Sequence, residues 1–181
     1  MTISLDGYFA DANSDMSWAH NPDSQGDFQA FVEGNTQSDS TLVFGRKTYQ
    51  MMAGYWPSEM AAQQNPVVAK KMNETSKIVF SKTLDEAPWT NTDLLKGDLA
   101  EEVKKLKGEE GPPLTILGSG SVVAQLAEAG LIDEFQIVVS PIVLGSGKSL
   151  FENGPNKQKL NLKESRTFTN GNVFLRYEPK S

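Results

Sequence analysis

Hydrophobic positions along this chain switch between two periods. Short β-branched or aromatic runs at residues 41–44, 78–81, 92–95 and 114–117 read as buried strands, and stretches repeating every three to four residues read as helices. Residues 27–33 put Phe28, Phe31 and Val32 on one helical face, closed by Gly34-Asn35. A second helix opens at Gly45-Arg46-Lys47-Thr48-Tyr49 and runs to about Met52, before Tyr55-Trp56-Pro57 breaks the chain. Pro66 suits a first helical position, which predicts a helix over 66–73. Asp98 caps a helix with Leu99, Val103 and Leu106 at i, i+4 and i+7, supported by Glu101 and Lys105. Residues 135–144 read as one long strand, with Pro141 at a bulge or an edge. The tail alternates through Leu160, Leu162 and Phe168, turns at Asn170-Gly171 and returns over 173–177, a hairpin. Met1 to Leu5 reads as the second half of a strand, either short or continued upstream, ending at an Asp6-Gly7 turn.

Strands alternating with helices and closing on a hairpin predict an α/β fold. The expected sheet is mixed and mostly parallel, with helices on both faces and an antiparallel C-terminal hairpin. At 181 residues the chain fits a single domain, 1–181. Hydrophobic content of 38% with 22% charged residues describes a globular protein, and no apolar run nears the ~20 residues of a membrane helix. No basic-then-apolar leader is visible at the N-terminus.

Composition narrows the chemistry. Without cysteine there is no disulfide or thiolate metal site, which accords with a cytoplasmic location. The single histidine, His20, sits in a polar loop, so neither a multi-histidine metal centre nor a Ser-His-Asp hydrolase fits. A net charge of −6 leaves no basic surface for nucleic acid. The expected partner is a small molecule, and any anion must be held by local cations and backbone dipoles.

Two strand-to-helix junctions carry that chemistry. In the first, residues 114–117 run into Gly118-Ser119-Gly120, followed by Val122, Val123, Leu126 and Ala127 at helical spacing. Such a turn aims free N–H groups and the positive end of the helix dipole at one spot, where an anion can sit. Gly120 lets the backbone approach it. In the second, Gly45 precedes Arg46 and Lys47 at a helix start. Cations there oppose the dipole, so either an anion binds or both side chains simply face water. Ligands of such sheets bind at the carboxyl ends of the strands.

With both junctions placed, the whole chain resembles the dihydrofolate reductase-like superfamily. It is most similar to the reductase domain of bifunctional riboflavin-biosynthesis enzymes and its stand-alone relatives. The marks are Ser4-Leu-Asp-Gly-Tyr8, Gly45-Arg-Lys-Thr-Tyr49, Ile116-Leu-Gly-Ser-Gly120 and the run from Ser140 to Phe151. The resemblance implies an NADPH-binding fold. Gly45, Arg46, Lys47 and Thr48 would meet cofactor phosphates, Ser81 and Lys82 would lie near the adenosine ribose, and Gly118, Ser119, Gly120, Ser121 and Val122 would hold the pyrophosphate. It also implies a homodimer formed through residues 135–147. The zinc deaminase half of the bifunctional enzymes has no counterpart here.

Hydride transfer to a C=N bond needs a proton, usually from a carboxyl group. Asp27 opens the helix resembling the one that carries the acid in dihydrofolate reductases, and partial burial beside Phe31 would raise its pKa. The same residue also completes Ser24-x-x-Asp27, a capping-box pattern that only stabilises a helix start. Asp6 is a candidate for substrate contact or a turn residue. Trp18 is the one large anchor of the polar loop 11–26. Two functions compete: an NADPH-dependent reductase of a pterin-like or pyrimidine-like substrate, and an NADP(H)-binding protein without turnover.

Overall fold

A computed structural model describes residues 1–19, 26–151 and 157–180. The chain divides into two compact units, Val32–Val122 and Met1–Phe31 with Val123–Ser181.

In the unit Val32–Val122, four parallel strands form a sheet: β3 (Thr41–Gly45), β4 (Lys77–Phe80), β5 (Thr92–Leu95) and β6 (Leu114–Gly118), in the order β5-β4-β3-β6. Successive side chains of a strand face opposite ways, and Leu42, Val43 and Phe44 are all buried. Both faces of β3 are therefore covered, as a parallel sheet requires. On one face Leu42, Phe44 and Val79 pack with Tyr49 of α2 (Arg46–Tyr55), Val68 and Met72 of α4 (Pro66–Glu74), and Trp89. The expected cap on α5 (Leu99–Gly108) is present: the Asp98 carboxylate accepts from the amides of Ala100 and Glu101. Helix α3 (Glu59–Gln64), which the periodicity does not single out, is capped by Ser58, whose hydroxyl accepts from the Ala61 amide.

The same unit buries one cation. Lys77 is 1% exposed. Its Nζ donates to the carbonyls of Met72 (2.9 Å), Asn73 (3.2 Å) and Thr75 (2.5 Å) and lies 4.6 Å from the centre of a Trp89 ring. A cation at the C-terminus of α4 satisfies carbonyls that the helix leaves free and complements its dipole. Burial still lowers its pKa from 10.5 to about 8. The folded protein therefore releases this proton near pH 8, whereas the unfolded chain holds it to about 10.5. Between those values the unfolded state binds more protons, so stability rises with pH. Against a Lys77→Met variant, the wild type is expected to gain up to ~3 kcal/mol over that window and nothing below it. Urea unfolding of both proteins from about pH 7 to about pH 10.5 checks this, and a constant gap between them would contradict it.

In the other unit, β1 (Thr2–Ser4) pairs in parallel with β7 (Phe135–Ser140), and β7, β10 (Val173–Pro179) and β9 (Leu160–Thr167) continue antiparallel. β2 (Tyr8–Asp11) and β8 (Gly147–Ser149) form a separate two-stranded sheet. The mixed α/β architecture and the C-terminal hairpin match the expectation, with the strands distributed over three hydrogen-bonded sheets. One strand is shorter than its pattern. β7 stops at Ser140 instead of running to Leu144, because Pro141 has no N–H to donate and the Ile142 amide turns back to the Ser140 carbonyl at 2.8 Å. β7 is also an interior strand, flanked by β1 and β10. The exposed apolar residues of this stretch are Leu5 and Val143, 68% and 65% exposed, which lie beyond the strands. The division into units falls within α1 (Asp27–Thr36) and α6 (Gly120–Glu128).

Candidate functional site

The residues expected to hold cofactor come together at the carboxyl edge of the parallel sheet. After β3 the chain adds β4 and then β5 on one side, and returns with β6 on the other. The reversal between β3 and β6 is a topological switch point, where sheets of this kind leave a crevice for ligands. Register places Gly45 opposite Phe80, next to Ser81, and Phe44 opposite Gly118. Three strand ends thus present Gly45, Ser81 and Gly118 side by side.

Two of these positions are crowded. A Cβ on Gly45 would lie 2.6 Å from Ser119 Oγ and 3.1 Å from Val122 Cγ2. A Cβ on Gly118 would lie 3.1 Å from Thr48 Oγ1, and Gly118 has φ +141°, a conformation that favours glycine. The Gly118–Ser119 peptide is cis. The two junctions consequently touch: the start of α2 through Gly45 and Thr48, and the start of α6 through Gly118, Ser119 and Val122. Ser119 Oγ and Ser121 Oγ are 2.8 Å apart, and the Val122 amide donates to the Ser119 carbonyl.

Their electrostatics suit an anion. Gly45 gives α2 no side-chain cap, and neither α2 nor α6 has an acid in its first turn. Arg46, Lys47 and Lys82 are exposed, and among the described residues none of the three pairs with a carboxylate. Arg46 instead donates to Gln50 Oε1 at 3.3 Å, one turn along α2. Ser81 is partly occupied: its amide donates to the Leu95 carbonyl, and its hydroxyl accepts from the amides of Thr83 and Leu84. That bond pattern shapes the turn after β4 and leaves Lys82 at its surface.

The other candidates lie in the other unit. Asp27 does not have the raised pKa expected of it. The Thr169 hydroxyl donates to Asp27 Oδ1 at 2.7 Å, and the Thr169 amide lies 3.3 and 3.2 Å from the two oxygens. That hydroxyl, then the amides of Thr169 and Phe28 and the charge of Arg166, hold the carboxyl below its ordinary value. Partial desolvation works the other way and is outweighed. Ser24, the partner in the capping-box reading, and His20 lie outside the described residues.

Asp6 has local work. Its Oδ1 accepts from the Ser4 hydroxyl (2.6 Å) and the Leu144 amide (3.2 Å), and its Oδ2 from the Gly145 amide (2.8 Å). The Ser4 hydroxyl, then the two amides, lower its pKa. Asp6 therefore ties the turn after β1 to the loop after β7. Trp18, in a single 3-10 turn (Ser17–Ala19), donates its indole N–H to the Asp15 carbonyl at 3.2 Å. No hydrogen bond links Asp6, Trp18 and Asp27 to one another among the described residues. Thr169, the partner of Asp27, is marked by no local pattern in the sequence.

The α/β sheet with its switch point between β3 and β6 is of the reductase type. The chain belongs to the RibD C-terminal domain family, whose model matches residues 1–174. It is 31% identical over 98% of its length to the uncharacterized protein YyaP of Bacillus subtilis (strain 168), covering 91% of that relative. A crystal structure of a candidate riboflavin biosynthesis protein from Shewanella sp. PV-4 is similar with TM-score 0.75 and 26% identity, covering 100% of this chain and 97% of the other. The bifunctional diaminohydroxyphosphoribosylaminopyrimidine deaminase/5-amino-6-(5-phosphoribosylamino)uracil reductase of Thermotoga maritima shares the fold at TM-score 0.68 and 14% identity. That match covers 99% of this chain, which spans 55% of the bifunctional protein. No helix among the described residues is long and apolar enough to cross a membrane.

Proposed function

We propose that this chain is a cytoplasmic NADPH-dependent reductase of a small heterocycle, pterin-like or ribosylaminopyrimidine-like, with residues 1–181 working as one reductase domain. The observation that carries the reading is the switch point itself. There, two helix starts without acids meet at Gly45 and Gly118, and Arg46, Lys47 and Lys82 stand free of carboxylates among the described residues. Backbone N–H groups of the two helix starts would take the pyrophosphate, with Thr48, Ser119, Gly120, Ser121 and Val122 around it. Ser81 and Lys82 would face the adenosine ribose. NADPH would supply the hydride. In the other unit Asp27 would present its carboxylate to the substrate, and Asp6 and Trp18 would be further substrate contacts. The test is loss of NADPH absorbance on dihydrofolate, other pterins and ribosylaminopyrimidines, run beside a binding titration.

One observation favours the second reading, an NADP(H)-binding protein without turnover. The carboxyl group cast as proton donor is held below its ordinary range, hence ionised at neutral pH. NADPH binding with no turnover on any of these substrates would decide for it.

The chain is further proposed to form a symmetric homodimer, the commonest closed assembly. The Leu5 amide bonds the Ile142 carbonyl at 2.8 Å, joining the segments that carry exposed Leu5 and Val143. Light scattering at micromolar concentration is expected to give the dimer mass and, for Val143→Lys, the monomer mass. A wild-type monomer would reject the proposal.

A further inference from the structure

We propose that Thr169, at the tip of the C-terminal hairpin, is a positioning residue that fixes Asp27 as an anion, so that Asp27 meets a substrate as an acceptor of N–H hydrogen bonds. This rests on the reading of Asp27 as the substrate-facing carboxylate. Nothing local connects the two residues, which stand 142 positions apart.

The hairpin turn is built to spare the Thr169 donors. Its own bonds run from the Phe168 amide to the Asn172 carbonyl, from the Gly171 amide to the Phe168 carbonyl, and from the Asn172 amide to Asn170 Oδ1. Gly171, at φ +84°, lets the chain reverse there. The Thr169 amide and hydroxyl take no part in these bonds, and both meet Asp27.

Aromatic packing fixes the distance. Phe168 is buried, with its ring centre 5.0 Å from Phe28, edge-on, and 5.0 Å from Phe31. Phe31 in turn lies 4.8 Å from Phe174 of β10. The first turns of α1 are thereby clamped to the hairpin, and Asp27, the first residue of that helix, is carried onto Thr169. Its position at the positive end of the helix dipole favours the carboxylate further.

From β9, Arg166 stacks its guanidinium 4.8 Å from the Phe168 ring centre and 5.6 Å from that of Phe31. It is the charged group among the described residues whose field acts on Asp27. Every described influence except partial desolvation therefore favours the ionised form. A carboxylate so held accepts from the N–H groups of a heterocycle and has no proton to give at neutral pH.

The test is an NMR titration of the Asp27 carboxyl carbon, assigned by its loss in Asp27→Asn, in the full-length wild type, Thr169→Val and Thr169→Ser. The wild-type midpoint is expected below that of an ordinary aspartate, ~3.9. Thr169→Val, which keeps the amide but lacks the hydroxyl, should titrate higher, and Thr169→Ser should return towards the wild type. A wild-type midpoint at or above the ordinary value overturns the proposal even if Thr169→Val fails to fold. So does a Thr169→Val midpoint equal to the wild type. The reductase reading fails separately: a protein that neither binds nor oxidises NADPH would still show the Thr169-dependent titration.

Discussion

Asp27→Asn is expected to lower turnover at neutral pH by ~10–10²-fold, the worth of a lost hydrogen bond from substrate to a charged acceptor, ~1.5–3 kcal/mol, with NADPH affinity nearly unchanged. The amide keeps the shape of the carboxyl group, so packing of Phe28 and Phe31 against Phe168 should survive. What disappears is the negative charge and one acceptor. In that variant the Thr169 hydroxyl keeps a partner only if the new amide turns its oxygen towards it, whereas the native carboxylate accepts on both oxygens. The residues proposed to hold cofactor belong to the other unit and are untouched, which is why binding should hold while turnover falls. The pH profile adds a second readout. Because Asp27 titrates below its ordinary range, it should contribute no limb near neutrality, and activity due to it should fade only in acid. The same depression makes the Asp27 contribution to stability present above its unfolded pKa and lost as pH falls through the folded one. Wild-type turnover by Asp27→Asn would reduce the residue to a helix start.

Much of this architecture could be read from the chain because it rests on local rules. The Asp98 cap, the Asn170-Gly171 turn and the Pro66 helix start each need only neighbouring residues, and all three stand where expected. The two strand-to-helix junctions were legible for a related reason, since an apolar strand, a glycine and a helical period follow one another in sequence. What the glycines meet is not local: Gly45 and Gly118 each abut the opposite junction.

What escaped the pattern is non-local. The Asp27 pKa was expected to rise from burial beside Phe31, a neighbour one turn away, yet the deciding donor is Thr169, brought in by tertiary packing. Lys77 looks like an ordinary polar boundary before an apolar strand. Its burial follows from three carbonyls at the end of the preceding helix and from Trp89, none of which the strand period reports. The end of β7 was overrun because apolar character continues past Ser140, whereas ladder hydrogen bonding cannot continue through Pro141.

NADPH is expected to bind about tenfold more tightly than NADH, or more, and replacing both Arg46 and Lys82 by alanine should abolish most of that preference. The two cofactors differ by one phosphate on the adenosine ribose, so discrimination has to come from donors at that point. Arg46 opens α2 directly after β3, and Lys82 follows β4; the register of Gly45 with Phe80 sets these two strand ends side by side. Neither cation is committed to a carboxylate among the described residues, so neither must break an ion pair to bind phosphate. Hydrogen bonds to charged groups contribute ~1.5–3 kcal/mol each, and ~1.4 kcal/mol is a tenfold change in affinity. One contact therefore gives about tenfold, and two give ~10²-fold or more. Loss in the double variant should fall on NADPH and spare NADH, which lacks that phosphate. Both cations are exposed, so added salt should erode the preference in the wild type and have little left to erode in the double variant. Paired titrations of the two cofactors at low and high salt measure all of this. Equal wild-type affinities would remove Arg46 and Lys82 from the cofactor site.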